Sequence, residues 1–257
     1  IAFEYIKEDD GSFPVLSQLS EIAGQASILI SSELLSNTTK SGKGLFFGNL
    51  SGVPPTEVVI IGSGNVAKSA AITATKLGSR VKLFSNSIFR LNQIKILIGN
   101  SIYTSTIQSK QLTKALMRCD VAIGAIKGNE TTSFVVSEEM VMKMKKGAVI
   151  IDVSIDSQGT FETSNLTSHD KPTFEKYGVT HYCVPNIPSR YSRTSSLCIS
   201  NIITPYLVKS KKYGSFENFI RNNNSLKNGV YLFNGLNTNK MIYELFEIDY
   251  KNINNII

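Results

Sequence analysis

One stretch of the chain, residues 57–85, limits the possible folds more than any other. It reads EVVIIGSGNVAKSAAITATKLGSRVKLFS, which is an apolar segment, a glycine turn, apolar residues at helical spacing and a second apolar segment. Short apolar segments without polar alternation are typical of strands that are buried on both faces. The order strand, turn, helix, strand therefore predicts a βαβ unit and, with it, a parallel sheet covered by helices.

The glycine turn in this stretch predicts a dinucleotide-binding site. Gly62 lets the chain turn sharply, Gly64 lets backbone N–H groups approach a pyrophosphate, and the small Ala67 lets the helix pack closely on the strand. The N-terminus of that helix would direct its unpaired N–H groups at the pyrophosphate. The residues that we assign to cofactor binding here are Gly62, Ser63, Gly64, Asn65 and Val66.

The end of the second predicted strand departs from the usual pattern. An acidic residue about 20 positions after the glycines normally binds the adenosine ribose hydroxyls. This chain has Ser85 and Asn86 there, with Arg90 in the next predicted helix. Two alternatives stay open: these side chains accept the 2′-phosphate of NADP, or Ser85 binds the ribose of NAD with a weaker hydrogen bond.

The same alternation of strands and helices continues along the chain. Strands are predicted at 102–103, 121–126, 149–153 and 179–184, and helices at 88–97, 112–117 and 136–144. Residues 1–5 read as a short strand, 16–35 as a long helix and 195–208 as a late helix. The pattern predicts an α/β fold built on a Rossmann-type doubly wound parallel sheet.

Ligands of such sheets collect at the carboxyl ends of the strands, which draws attention to Asp156. It follows the apolar strand at 149–153 by three residues. A carboxylate in that place could orient a water or a substrate amine and stabilise positive charge on an iminium. The alternative is an aspartate that only caps a turn. Asp152, within the strand, is interpreted as structural.

The composition argues against several other classes of protein. The net charge of +7 comes from dispersed lysines without aromatic residues interleaved, so we expect no nucleic-acid partner. Three widely spaced cysteines suggest reduced thiols and no metal site. No apolar run of about 18 residues and no signal-peptide pattern occur, so we expect a cytoplasmic protein without a membrane partner. His181, in an apolar strand, is interpreted as a core residue.

Several ordered blocks resemble the alanine dehydrogenase and NAD(P) transhydrogenase alpha-subunit family. They are SEIAG, GVPP before VVIIGSG, DVAIGAI, EEMVMKMKKGAVIIDVSID, HYCVPNIPSR and RTSS. The resemblance implies reversible oxidative deamination of L-alanine to pyruvate and ammonia, with hydride transfer to NAD. It also implies a hexamer or another homo-oligomer.

The resemblance also assigns roles to individual residues. Asp156 matches the catalytic aspartate, although Ser157-Gln158-Gly159-Thr160 follows it here in place of Gln-Gly-Gly. Arg90 matches a basic residue near the adenosine. The other positions assigned to the cofactor are Ser20, Ala125, Ile126, Val153, Asn186 and Ile187.

The resemblance implies a nucleotide domain inserted into a catalytic domain that both chain ends contribute. We expect residues 1–36 to be the end of one catalytic half and the interdomain helix, 37–190 the nucleotide domain, and 191–257 an interdomain helix and the remaining catalytic part. The catalytic domain is expected to be incomplete, because its substrate-binding arginine, lysine and histidine would lie upstream of Ile1. The chain alone is then expected to bind cofactor without turnover.

Two alternatives to a working dehydrogenase stay open. One is a nucleotide-binding module of the transhydrogenase alpha-subunit type, which passes hydride to another bound nucleotide. The other is a degenerate, non-catalytic relative, suggested by Ser85 and by the altered residues after Asp156.

Overall fold

The computed structural model describes residues 1–37, 42–126 and 134–256. The chain divides into two units. One comprises Ser20–Tyr191, and the other comprises Ile1–Leu19 together with Ser192–Ile257.

The unit Ser20–Tyr191 is built on a seven-stranded sheet in the order β3-β2-β1-β4-β5-β7-β6. The strands are β1 (Glu57–Ile61), β2 (Arg80–Phe84), β3 (Ile102–Ser105), β4 (Val121–Gly124), β5 (Val149–Asp152), β6 (Thr173–Lys176) and β7 (Val179–Tyr182). All neighbouring strands are parallel except the β6–β7 pair. The α/β class and the largely parallel sheet are confirmed.

β6 was not predicted from the sequence. It is an edge strand with partly exposed side chains, so it lacks the buried apolar pattern of the other strands. A tight turn joins it to β7, in which Tyr177 and Gly178 both have positive φ, at 58° and 73°. Two consecutive residues with positive φ are typical of the turn that favours antiparallel pairing.

Helices surround the sheet: α1 (Pro14–Leu35), α2 (Asn65–Lys76), α3 (Ile88–Ile98), α4 (Ser109–Leu116) and α5 (Glu138–Met142). The predicted helix at 136–144 is shorter than expected, because Val136 instead forms a bridge with Phe161. Across the described ranges, no helix has both the length and the apolar character to cross a membrane.

Successive residues of each buried strand belong to different hydrophobic clusters. Val58 and Ile60 pack in the cluster that includes residues of α1, α2 and α3, whereas Val59 and Ile61 pack with residues of α4 and α5. Because side chains alternate along a strand, helices cover both faces of the sheet. The arrangement is doubly wound, as the sequence predicts.

The other unit contains α6 (Ser192–Ser210), α7 (Phe216–Arg221), α8 (Asn224–Lys227), α9 (Lys240–Phe246) and a small hairpin of β8 (Leu232–Phe233) and β9 (Leu236–Asn237). Its buried centre is Ile6, Phe219 and Leu226. The predicted strand at residues 1–5 is wrong: Phe3–Tyr5 form a 3-10 turn. The Ala2 N–H donates to a loop carbonyl, that of Gly229, at 2.7 Å, and the segment pairs with no strand among the described residues.

Candidate functional site

Four neighbouring strands end at the same level of the sheet. Their aligned residues are Ile61, Phe84, Gly124 and Asp152. The residues that follow them are Gly62, Ser85, Ala125 and Val153. Backbone hydrogen bonds continue the alignment by one step, since the Gly62 N–H donates to the Phe84 carbonyl at 2.8 Å and the Ala125 N–H to the Ile61 carbonyl at 2.8 Å. Four positions predicted from the sequence therefore lie along one edge.

Gly62 is required by the packing of this edge. Its φ is +129°, and a Cβ on it would lie 2.2 Å from the carbonyl oxygen of Ala125. That separation is far below van der Waals contact, and the obstacle is backbone, which cannot move aside as a flexible side chain can. Only glycine fits this position.

Gly64 differs from Gly62, because nothing in the described chain requires a glycine there. Its φ is −77°, and a Cβ on it would meet no heavy atom within 4 Å. It is the N-cap of α2, and no side chain makes a capping hydrogen bond there. Open space in front of a helix N-terminus, next to a residue without a side chain, fits the close approach of a pyrophosphate.

α1 packs directly against the start of α2. A Cβ on Gly24 would lie 2.4 Å from the Val66 carbonyl oxygen, so the two backbones are in contact. The Ser69 hydroxyl donates to the carbonyl of Glu21 at 3.0 Å. Ser20, assigned to the cofactor from the resemblance, precedes Glu21 on α1.

A cleft of about 660 Å³ opens beside the N-terminus of α2. Its lining residues come from the glycine turn, α2 and α3: Ser63, Gly64, Asn65, Lys68, Arg90, Gln93, Ile94, Ile96 and Leu97. Lys68 and Arg90 are exposed, and neither forms an ion pair with a residue in the described ranges. The cleft thus combines two cations with an apolar wall from α3.

The serine at the end of β2 is bound to the glycine turn. The hydroxyls of Ser63 and Ser85 lie 2.7 Å apart, and the Ser85 hydroxyl also accepts the Ser87 N–H at 3.2 Å. Asn86 is used differently, since its side-chain oxygen accepts the Ile107 N–H at 3.2 Å and holds the loop after β3.

The loop after β5 is organised by Asp152, which is fully buried. Its carboxylate accepts five hydrogen bonds: from the N–H groups of Ser154, Thr160 and Phe161 and from the hydroxyls of Ser154 and Ser164, at 2.7–3.2 Å. Burial raises the pKa of the Asp152 carboxyl, and the bonds from Ser164, Thr160 and Phe161 oppose that rise. The sequence-based interpretation of Asp152 as structural agrees with this geometry.

Asp156 lies in the middle of the loop that Asp152 holds. It belongs to a 3-10 turn, Ile155–Ser157, followed by Gln158 in the left-handed region with φ 72°. Asp156 is exposed and forms no hydrogen bond or ion pair with any residue that the structure describes. Because it follows β5, its loop leaves the sheet at the same edge as the Gly62 turn. Its catalytic role stays a prediction.

The remaining predicted positions follow β4 and β7. Ile126 comes directly after Ala125, at the edge of the residues that are described. Asn186 has φ +50° and is exposed, whereas Ile187 is buried in the hydrophobic core. Ile187 would therefore present backbone atoms to a ligand, since its side chain is occupied in packing.

Neither histidine is placed as an acid or base at this edge. His181 is fully buried, its Nε2 lies 2.8 Å from the Thr163 hydroxyl and its Nδ1 lies 3.0 Å from the Val179 carbonyl oxygen. Burial lowers its pKa to about 4, so the ring is neutral at neutral pH. The prediction of a core histidine is confirmed. His169 is exposed and lies 2.8 Å from the Ser189 hydroxyl.

Two residues that matter here were not assigned to the site from the sequence. Lys68 lines the cleft because it stands four residues after Gly64, on the same face of α2. Asp152 holds the Asp156 loop, and its signal was a carboxylate at the end of an otherwise apolar strand with Ser154, Thr160 and Ser164 following. Both features can be read from the sequence. Which residues they lie close to is known only from the fold.

The chain resembles known proteins along nearly its whole length. The sequence profile described as "Alanine dehydrogenase/PNT, C-terminal domain" matches residues 27–240. Alanine dehydrogenase 2 of Staphylococcus aureus (strain USA300) is 37% identical over 256 residues, which cover 98% of this chain and 68% of that protein.

Solved structures agree with this match. An L-alanine dehydrogenase superposes with a TM-score of 0.89 at 31% identity, over 96% of this chain and 68% of that one. A transhydrogenase from Sinorhizobium meliloti superposes with a TM-score of 0.63 at 18% identity, over 80% of this chain and 57% of that one, which shows a shared fold only. The profile, the sequence identity and the structural superposition lead to one conclusion: the chain belongs to the alanine dehydrogenase/PNT family of oxidoreductases.

Proposed function

We propose that the protein is an NAD-dependent alanine dehydrogenase that catalyses the reversible oxidative deamination of L-alanine to pyruvate and ammonia. Family membership supports the reaction class. The observation that carries the proposal is the open position at Gly64, where the backbone at the start of α2 stays uncovered although the chain itself does not need a glycine there.

The residues around the glycine turn fit a dinucleotide. The backbone of residues 62–66 would hold the pyrophosphate at the N-terminus of α2. Ser85, Asn86 and Arg90 would face the adenosine, and the strand ends at Ala125 and Val153 would border the nicotinamide. Ser20, Ile126, Asn186 and Ile187 complete the proposed set. Bound NAD would supply a hydride acceptor.

Asp156 is the residue that we propose to act on the substrate. It is exposed on a loop whose base is fixed by the five hydrogen bonds that Asp152 accepts. A carboxylate there would stabilise positive charge as it develops on the substrate nitrogen and would orient the attacking water. We further propose that the protein forms a homo-oligomer, such as a hexamer.

The cofactor site is tested by titrating the chain with NADH and following the nicotinamide fluorescence. Gly64→Val fills the open position, and we expect it to weaken NADH binding by about tenfold or more. Thermal unfolding of the same variant is the control, because the Cβ that it adds meets no heavy atom within 4 Å. If a folded Gly64→Val variant bound NADH as tightly as the original chain, the proposed pyrophosphate site at residues 62–66 would be contradicted.

The reaction is tested in the complete natural protein as alanine-dependent reduction of NAD. We expect Asp156→Asn to lower kcat by about a hundredfold or more while NADH affinity stays within about twofold. Asp170→Asn is the matched control, because Asp170 is also an exposed loop carboxylate. If the protein ignores alanine but reduces an NAD analogue with NADPH, a transhydrogenase-type module is favoured; if neither reaction occurs, a degenerate relative is.

A further inference from the structure

The cleft beside the N-terminus of α2, at the adenosine end of the proposed site, is lined by positive charge. In the usual pattern a carboxylate lies at this end and selects against a phosphate. Of the side chains that line the cleft within the described residues, two are cations, Lys68 and Arg90, and none is acidic. Lys68 is on α2 and Arg90 is on α3, so the two cations approach the cleft from different helices. Both charges lack an ion-pair partner among the residues that the structure describes.

The end of β2 adds hydrogen-bond donors instead of a negative charge. The hydroxyls of Ser63 and Ser85 are 2.7 Å apart and share one hydrogen between them, which leaves the second hydrogen to donate elsewhere. Ser85 also accepts the Ser87 N–H, so its position at the strand end is defined. A carboxylate in this place would accept bonds from two ribose hydroxyls and would repel a phosphate; a serine pair does neither.

These groups match the chemistry of a phosphate on the adenosine ribose. A phosphate monoester carries about 1.5 to 2 negative charges near neutral pH and binds arginine through paired charge-assisted hydrogen bonds. Arg90 lies five residues after Ser85 and lines the cleft together with Ser63, whose hydroxyl contacts that of Ser85. The apolar side chains of Ile94, Ile96 and Leu97, on the same wall, suit the flat face of an adenine.

We propose that this cleft accepts a 2′-phosphorylated adenosine, so that the protein binds NADP(H) at least as tightly as NAD(H). The inference rests on the proposed dinucleotide function and extends the cofactor from NAD to NADP. Arg90, with Lys68, is the specificity-determining group, and Ser85 permits the phosphate by removing the charge that would exclude it.

The experiment compares NADH and NADPH by fluorescence titration of the chain, and it compares displacement of the bound cofactor by AMP, adenosine 2′,5′-bisphosphate and adenosine 3′,5′-bisphosphate. We expect NADPH to bind at least as tightly as NADH, and the 2′,5′-bisphosphate to displace it best. Arg90→Ala, and more so the double variant with Lys68→Ala, should weaken NADPH binding by about tenfold and NADH binding by less than about threefold.

Lys95→Ala is the matched control, because Lys95 is an exposed lysine of α3 that does not line the cleft. It should leave both affinities unchanged. Both cleft cations are exposed, so their removal does not threaten folding. Ser85→Asp should shift the preference toward NADH, and rising salt should weaken NADPH binding more steeply than NADH binding.

Three results would overturn the inference. If NADH binds the unaltered chain more than about tenfold tighter than NADPH, the cofactor specificity is wrong while the dehydrogenase proposal stands. If Arg90→Ala weakens both cofactors equally, the cations serve a shared phosphate and not the 2′-phosphate. If neither cofactor binds, the inference and the proposed function fail together.

Discussion

The β1–α2 turn and the loop after β5 leave the same edge of the sheet, but they are held in place by different forces. The first depends on shape: Gly62 has φ +129° and passes so close to the Ala125 carbonyl that no side chain fits. The second depends on hydrogen bonds, since Asp152 receives donors from residues up to 12 positions further along the chain. Steric exclusion fixes one loop, and a buried carboxylate fixes the other.

This difference suits what we propose each loop to do. A turn made of bare backbone presents N–H groups and open space, which suits a pyrophosphate. A loop gathered around a buried carboxylate holds a second carboxylate, Asp156, outward with its own oxygens unengaged within the described part of the chain. The proposed cofactor binding uses backbone groups, and the proposed chemistry uses a side chain. Each depends on its own loop along one edge of the sheet.

The comparison is tested most severely at the two glycines of the first turn. Gly62→Ala should lower the free energy of unfolding by about 4 kcal/mol or more, because the added Cβ strikes backbone at a positive φ. Gly64→Ala should change it by less than about 1 kcal/mol, because that position has ordinary φ and free space. Urea unfolding of both variants measures the difference. Equal effects of the two substitutions would show that steric fit does not fix this turn.

The second loop should be broken by removing its central carboxylate. Asp152→Ala leaves three N–H groups and two hydroxyls without their acceptor, and we expect it to lower the free energy of unfolding by about 3 kcal/mol. Glu162→Gln is the control, because Glu162 is an exposed carboxylate of the same region that accepts one N–H, from Glu138. It should cost less than about 1 kcal/mol. An Asp152→Ala variant as stable as the original chain would contradict the role that we assign to Asp152.

His181 contacts Thr163 at the far end of the same loop. It also makes the free energy of unfolding of the protein depend on pH. Its pKa is about 4 in the folded state against an ordinary 6.5, so the unfolded chain binds the proton more tightly. The resulting contribution to the free energy of unfolding, about 3 kcal/mol, is therefore present above pH 6.5 and is lost as the pH falls from 6.5 to 4.

Unfolding free energies across that pH range measure the effect. His181→Gln should flatten this part of the profile, whereas His169→Gln should not, because His169 is exposed. A profile that keeps its slope in His181→Gln would assign the pH dependence to other groups.

The smallest effect is expected from the pair of serine hydroxyls at the first turn. Ser85→Ala removes the partner of the Ser63 hydroxyl and the acceptor of the Ser87 N–H, and should cost about 1 kcal/mol. Ser101→Ala, at an exposed serine without such partners among the described residues, should cost less than about 0.5 kcal/mol. A loss above about 3 kcal/mol in Ser85→Ala would show that hydrogen bonding, and not shape alone, holds this turn too.

Most of the fold was predicted from patterns among residues that lie close together in the sequence. Apolar segments of strand length predicted β1, β2, β4, β5 and β7 within a few residues, and helical spacing predicted α1, α2 and α3. The edge strand β6 and the 3-10 turn at Phe3–Tyr5 were missed or wrong. Both segments are at least partly exposed. Whether such a segment forms a strand depends on whether a partner strand is available, and the local periodicity of the sequence does not show this.

The order of residues was enough to predict the βαβ unit, the glycine turn and the replacement of an acid by Ser85, because each follows from backbone sterics or from residue chemistry at a fixed spacing. The hydrogen bonds by which Asp152 holds the loop around Asp156, and the cleft that Lys68 and Arg90 both line, became visible only in the packed fold. Hydrogen bonds and charges act over a few ångströms in space, and residues distant in the chain come that close only once sheet and helices have packed.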